Sequence, residues 1–251
     1  MKRTCLILAT AIACPAWAQS DTTFMPEGSQ DLTLIAVAGL APRSEGNGKL
    51  TPFLLPAASV QWSNGVFLDV GTLGMQLSTA GNLRFGPKLG YGIKDERIDD
   101  PGRRTRLDLQ AGGFASYQLL HNLNLRGDVM YGGSDNYRGV QLRVGATLSK
   151  RLTPHQGVAL SVGANVVDQA YMQSYFGVTP QQAAVGHRRA YHAGGGLKNI
   201  NTSGAWNIEL NHKYALAAGV NVSWLGDTPA ASPLTRNNQG YSLFTMLHYH
   251  Y

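Results

Sequence analysis

The sequence predicts an all-β protein, a closed antiparallel transmembrane β-barrel of about twelve strands, with ten as the alternative count. Three observations carry that expectation. From residue 82 onward, apolar residues recur at every second position in runs long enough to cross a bilayer obliquely, ~9–11 residues. The face opposite the apolar one mixes charges of both signs with small residues, as a hydrated or packed polar lumen would. The chain also finishes inside a pattern: "SLFTMLHYHY" sets Leu243, Leu247, Tyr249 and Tyr251 on one face and Ser242, His248 and His250 on the other, with no charged group among them. A spanning sheet must close, because an open edge leaves backbone groups unpaired in hydrocarbon. In a closed barrel the final strand pairs with the first, which lets the chain end within the ladder.

The front of the chain reads as an export signal. "MKRTCLILATAIACPAWAQS" has a basic start at Lys2 and Arg3, a short apolar run from Leu6 to Ala13, and the A-x-A pattern Ala16-Trp17-Ala18, so residues 1–18 are expected to be a cleaved signal peptide. The rival is a lipoprotein box at Cys14; Ala11 where that box prefers Leu, and Pro15 directly after the cysteine, argue against it. The apolar run is too short to remain as an anchor. Both cysteines, Cys5 and Cys14, fall in this segment, so residues 19–251 form a thiol-free domain in an oxidising compartment. Its stability must come from burial and backbone pairing. The formal charge of +6 becomes +4, since two cations and no acid leave with the signal. That surplus fits contact with anionic lipid and lipopolysaccharide; export makes nucleic acid an implausible partner. The address is the outer membrane of a Gram-negative envelope, where barrel-assembly machinery is expected to read the terminal Leu243, Leu247, Tyr249 and Tyr251.

The strands follow in order. Candidates lie near 31–40, 53–63, 65–78, 82–94, 106–119, 122–131, 138–150, 156–167, 189–198, 204–214, 216–225 and 240–251. In 106–119, Leu107, Leu109, Ala111, Ala115, Tyr117 and Leu119 oppose Asp108, Gln110, Ser116 and Gln118, with Phe114 as an apolar intruder on the polar face. Glycine is about 12 % of residues against a usual ~7 %, and the glycines sit within the alternating runs, which indicates curved, closely approached strands. Aromatics near strand ends, Trp62, Tyr91, Tyr117, Tyr131, Tyr191, Tyr214 and Trp224, are placed for an interfacial girdle. The turns conflict: the short "HN" at 121–122 and the long segment 168–188 imply opposite parity to a terminus placed inside. At least one hairpin in the set is therefore misread.

The polar face supplies the candidate lumen network: Arg84, Lys88, Asp108, Arg126, Asp128, Arg143 and Glu209. These residues either pair into a plug or line a wet pore. No spacing among the histidines, Ser174, Ser203 and the acids indicates a Ser–His–acid device. His248 and His250 share a face, yet two histidines on a terminal strand without a carboxylate are more often lumen or interface residues than metal ligands. The charged segment "KDERIDDPGRRTR" (94–106) lacks the order of a calcium loop, and its arginines can neutralise its acids. "GHRRAYH" (186–192) reads as a basic loop near anionic lipid heads. No enzyme activity, metal or cofactor is expected.

The stretch "DQAYMQSYFGVTPQQAAVGHRRAYHAGGGLKNI" (168–200) is similar to the signature region of the MltA-interacting protein (MipA)/OmpV family of outer-membrane proteins. Tyr171 and Tyr175–Thr179 match its Tyr-x-x-x-Tyr-Phe-Gly-Val-Thr run, and Tyr191–Lys198 its glycine-rich strand. "WLGDTPAASPLTRNNQGYSLF" (224–244) resembles the family's loop before the last strand, and "LLPAASVQWSNGVFLDVGTLGMQL" extends the likeness over most of the chain. The loop "APRSEGNGK" departs from the family wording, and "IKDERIDD" keeps its acids but loses a Gly-Arg start. The resemblance implies a scaffold that holds a membrane-bound lytic transglycosylase and a bifunctional penicillin-binding protein together during murein growth. A small-solute, porin-like channel is the alternative.

Overall fold

The computed structural model describes residues 26, 28–78, 81–93, 107–132 and 139–251, with backbone alone at 91–93, 107 and 108. The expected signal peptide with its two cysteines and the charged segment 94–106 lie outside the described residues.

Twelve antiparallel strands close into a barrel: β1 (Gln30–Pro42), β2 (Leu50–Trp62), β3 (Val66–Asp69), β4 (Thr72–Met75), β5 (Leu83–Ile93), β6 (Leu107–Leu120), β7 (Leu123–Gly132), β8 (Gly139–Thr153), β9 (Gln156–Val167), β10 (Gly196–Glu209), β11 (Tyr214–Leu225) and β12 (Gln239–His250). Three short helices interrupt the late connections: α1 (Gln169–Phe176), α2 (Pro180–Gly186) and α3 (Asp227–Ala230). The terminal strand meets the first in an unbroken register from Leu40↔Leu243 to Thr33↔His250. The strands alternate as a pleat requires. Leu34, Leu40, Leu54, Phe85, Leu89, Leu109, Val129, Leu160, Val220, Leu243 and Leu247 are exposed on the outer wall, where lipid solvates them. Their neighbours in sequence turn inward.

The count of twelve was reached in the sequence through two errors that cancel. The run 65–78 is not one crossing strand; β3 and β4 form a short hairpin that turns at Val70–Gly71, with Gly71 at φ 70°. The run 189–214 is not two strands: β10 is a single strand of 14 residues, and the chain before Gly196 belongs to a separate outer segment. The first error inverts the parity of every later strand until the second restores it, which explains why the turns did not sort. In the structure they do. The connections at 63–65, 121–122, 154–155 and 210–213 are short and gather at one end; 43–49, 168–195 and 226–238 lie at the other. Short turns mark the periplasmic end of a bacterial barrel and long loops the outer end.

The wall is uneven. β2 pairs with β3 at only Val60↔Leu68 and Gln61↔Phe67, and β4 with β5 from Thr72↔Gly90 to Gly74↔Lys88. β3 and β4 share four residue pairs, and the other neighbouring strands share eight or more. Pro52 and Pro56, which have no N–H to give a second neighbour, sit on the part of β2 that β3 does not reach.

Aromatic residues band the outer wall. Trp62, Tyr117, Tyr214 and Tyr249 lie toward the periplasmic end, the last two with ring centroids 5.1 Å apart. Tyr131, Trp224 and Tyr241 lie toward the outer end. Tyr191 is a correction to the expected girdle. It leaves the wall altogether, packs against the buried residues under α1, and donates its hydroxyl proton to the Thr228 carbonyl at 2.7 Å. The side chain of Tyr91 lies outside the described residues.

Candidate functional site: the lumen and its outer cap

The inner wall divides into two unlike regions. Across β2, β1, β12 and β11, the inward positions in register are Leu55, Val37, Met246 and Ala217. Val37 and Met246 are 2 % exposed and Ala217 1 %, with Ile35 also buried and Phe53, Ala57 and Phe244 packed against the group. Burying a Val or Met side chain is worth ~1.5–3 kcal/mol. This wall therefore carries a core of its own inside the barrel.

Glycine makes room for the large members. Phe53 faces Gly39 across the β1–β2 ladder, Phe244 faces Gly39 and Gly219, Phe67 faces Gly74, and Phe114 faces Gly86. A Cβ on Gly39 would press on the Leu243 carbonyl oxygen and lie 3.0 Å from the Phe53 ring; one on Gly74 would enter the Phe67 ring. Each inward phenylalanine among the described side chains lies over a strand position with no side chain. Phe114, the apolar intruder of the sequence, meets Phe67 edge-on with centroids 5.4 Å apart.

The opposite wall is charged. Lys88 on β5 donates to Asp128 Oδ1 at 2.8 Å, and Arg126 Nε donates to Asp128 Oδ2 at 3.1 Å. Lys88 and Asp128 are buried, whereas the Arg126 side chain is 56 % exposed to the lumen. Arg143 faces Asp128 directly across the β7–β8 ladder. Beside these runs a neutral belt: Ser116 donates to Asn124 at 3.0 Å, Asn124 to Gln118 at 3.3 Å, and the Thr147 and Ser161 hydroxyls lie 3.0 Å apart. Asn165 donates to the side-chain oxygen of Asn199.

Of the seven residues expected to form one network, the structure brings Lys88, Arg126, Asp128 and Arg143 together. Arg84 lies on the same inner face at the start of β5. Asp108 faces Gly92 in the backbone register, and its side chain is outside the described residues. Glu209 stands apart, at the periplasmic end of β10, with Oε2 3.8 Å from His155 Nδ1. Leu243, Leu247, Tyr249 and Tyr251 all face outward. His248 is buried on the inner face, and His250 Nδ1 lies 3.0 Å from the Thr33 hydroxyl. Among the described residues, no three His, Cys, Asp or Glu side chains converge as a metal site would need.

The outer end is roofed. Asp168 caps α1 by accepting from Tyr171 N at 2.8 Å, and its other oxygen takes the Val140 amide at 2.9 Å, which ties the helix to the rim of β8. Thr179 and Gln182 form a capping box ahead of α2, with Pro180 in its first turn. Tyr171, Met172, Phe176 and Ala193 are buried together with Val167, so the outer segment has a small core. Ser232 donates to the Phe176 carbonyl at 2.6 Å, and the amides of Arg236 and Asn237 reach the Gly46 carbonyl at 2.8 and 3.0 Å. Lys198 Nζ bridges to Glu45 at 3.1 Å and lies 5.4 Å from the Tyr171 ring centroid. The three outer connections are thereby bound to one another and to β8 and β10. Sequence reasoning placed 186–192 as a plain basic loop and missed this roof, although the Asp168 cap and the Thr179-Pro180-Gln181-Gln182 box were readable signals.

A closed barrel with apolar outer wall, aromatic bands, short turns at one end and long loops at the other is an outer-membrane β-barrel. The model of the family described as MltA-interacting protein MipA matches residues 34–251, and the chain belongs to that family. No curated protein matches the chain. Among solved structures it is similar to the NanC porin, at 8 % identity and a TM-score of 0.51, over 86 % of this chain and 98 % of that one. A bacterial polysaccharide outer-membrane secretin (12 % identity, TM-score 0.47, 90 % and 100 % covered) and the CymD monoaromatic hydrocarbon channel (12 % identity, TM-score 0.41, 91 % and 89 % covered) also align.

Proposed function

We propose that this barrel is a scaffold at the outer membrane that links a murein hydrolase to a murein synthase, with a lumen built as an anchor and not as a passage. The carrying observation is the inner wall of β1, β2, β11 and β12, where Leu55, Val37, Met246 and Ala217 make an apolar core in the place where a wide pore would keep polar, hydrated side chains. The bound roof of 168–195, 226–238 and 43–49 supports the same reading. The family description names interaction with MltA, which supports a murein-related partner; a membrane-bound lytic transglycosylase and a bifunctional penicillin-binding protein are the partners this reading assigns. Such a scaffold acts through surfaces and needs no catalytic group of its own. Export through cleavage after residue 18 and assembly through the outward Leu243, Leu247, Tyr249 and Tyr251 complete the proposal.

Cross-linking in intact envelopes tests it. Recovery of a lytic transglycosylase and a murein synthase, above the level with an unrelated barrel as bait, is the expected result. Recovery of assembly factors and lipopolysaccharide alone overturns it. The rival reading, a small-solute channel, draws on one observation: Arg126 is half exposed within the lumen. Steady, large single-channel conductance from the purified barrel would favour that rival.

A further inference from the structure

The charged inner wall carries more cation than its own acid can use. Lys88, Arg126 and Arg143 project from the lumen face of β5, β7 and β8. They gather round Asp128, so among the described residues three cations face one carboxylate. Asp128 is already committed, taking Lys88 at 2.8 Å and Arg126 at 3.1 Å. Arg143 Nε is buried and has no acceptor among the described residues. A buried guanidinium donor without an acceptor is costly and is found paired in most proteins.

The wall beside these cations is neutral, with no charged residue on β9. In register from Arg126 the next inward positions on β8 and β9 are Gly145 and Gly163. Neither carries a side chain of its own, and the neutral carboxamide of Asn201 lies at the Gly163 position, so these two positions set no acid beside the exposed Arg126 fork. Arg126 is the fourth residue of β7 counted from the short-turn end, so the periplasmic mouth is the nearer one. The tied connections 43–49, 168–195 and 226–238 lie at the other end.

We propose that Arg126 and Arg143, beside the Gly145–Gly163 strip, form a lumenal binding site for a small oxyanion, a carboxylate or phosphate group presented from the periplasm. Guanidinium groups bind such oxygens through paired, charge-assisted hydrogen bonds, and a confined wall of one sign concentrates anions. The site uses none of the surfaces that a protein scaffold would present, so it stands or falls separately from that role.

The test uses the folded barrel in detergent micelles, titrated with inorganic phosphate and, separately, with acetate, at constant ionic strength in chloride, by calorimetry and by phosphorus-31 line broadening for phosphate. Saturable binding of at least one probe is expected. Arg126→Gln and Arg143→Gln should each weaken it by about tenfold, corresponding to ~1.4 kcal/mol, while Arg189→Gln on the outer surface leaves it unchanged. Phosphate binding without acetate binding assigns the site to phosphate groups, and the converse assigns it to carboxylates. Absence of saturable binding by both probes, or binding unaffected in a folded Arg126→Gln protein, overturns the proposal. Arg126 is half exposed, so its replacement leaves the buried Lys88–Asp128 pair in place and the variant is expected to fold.

Discussion

The two inner walls are held by different physics. On the β1, β2, β11 and β12 side, Val37, Met246, Leu55 and Phe53 contribute burial that is non-directional and graded with area. On the β5, β7 and β8 side, Lys88, Arg126 and Asp128 contribute directional pairs whose value depends on every member being present. The difference teaches where the molecule tolerates change. An apolar core degrades in proportion to what is removed, whereas a buried charge set fails when one partner goes and recovers when both go.

The strongest way to break this contrast is Asp128→Ala. It leaves the buried Lys88 without its carboxylate, and should cost ~3–5 kcal/mol; urea unfolding of the refolded barrel, followed by the gel-mobility shift between folded and unfolded forms, measures it. The contrast is sharpened by the double variant Lys88→Met with Asp128→Leu, which should recover most of that loss, since replacing both members of a buried pair with apolar groups is often nearly neutral. Failure of the double variant to recover would mean that this wall is held by something besides its charges. On the other wall Met246→Ala should cost about 3 kcal/mol, with no single second substitution able to restore it by charge matching. Gly39→Val is expected to cost about 2 kcal/mol through overpacking against Phe53 and the β12 backbone, and a Phe53→Ala background should relieve part of it. The smallest effect lies outside both walls. Tyr191→Phe removes one hydrogen bond to Thr228 and should loosen the roof by about 1 kcal/mol, seen as faster amide exchange at 226–238 without a change in global unfolding.

The same two walls show what the sequence makes legible. Period two marks the outer wall well, because lipid demands an unbroken apolar face and Leu, Val, Ile and Phe satisfy it in every long strand. The inner face carries no such demand, and the reading failed there. "NINTSG" in β10 looks like a turn, since Asn, Thr, Ser and Gly are turn formers; here Asn199, Asn201 and Ser203 simply line a lumen. The hairpin of β3 and β4 hid for the converse reason. Alternation continues through Val70 and Gly71, and only the φ of Gly71 reveals the reversal. The inner core was invisible because Phe53, Val37 and Met246 sit on the face where apolar residues look like exceptions. Lys88, Asp128, Arg126 and Arg143 were legible as a group from alternation alone. Glu209 shares their face but not their height on the wall, and alternation says nothing about height.

The short hairpin of β3 and β4 sets where this cylinder would tear. A closed sheet has a seam where its ends meet, and that seam is usually taken as the line of weakness. Here the terminal strands hold each other through eight consecutive residue pairs, Thr33↔His250 to Leu40↔Leu243, while β2 and β3 share two. Under mechanical load or brief thermal opening, the sheet is expected to part first between Val60 and Leu68, well inside the chain, with the two ends still fastened.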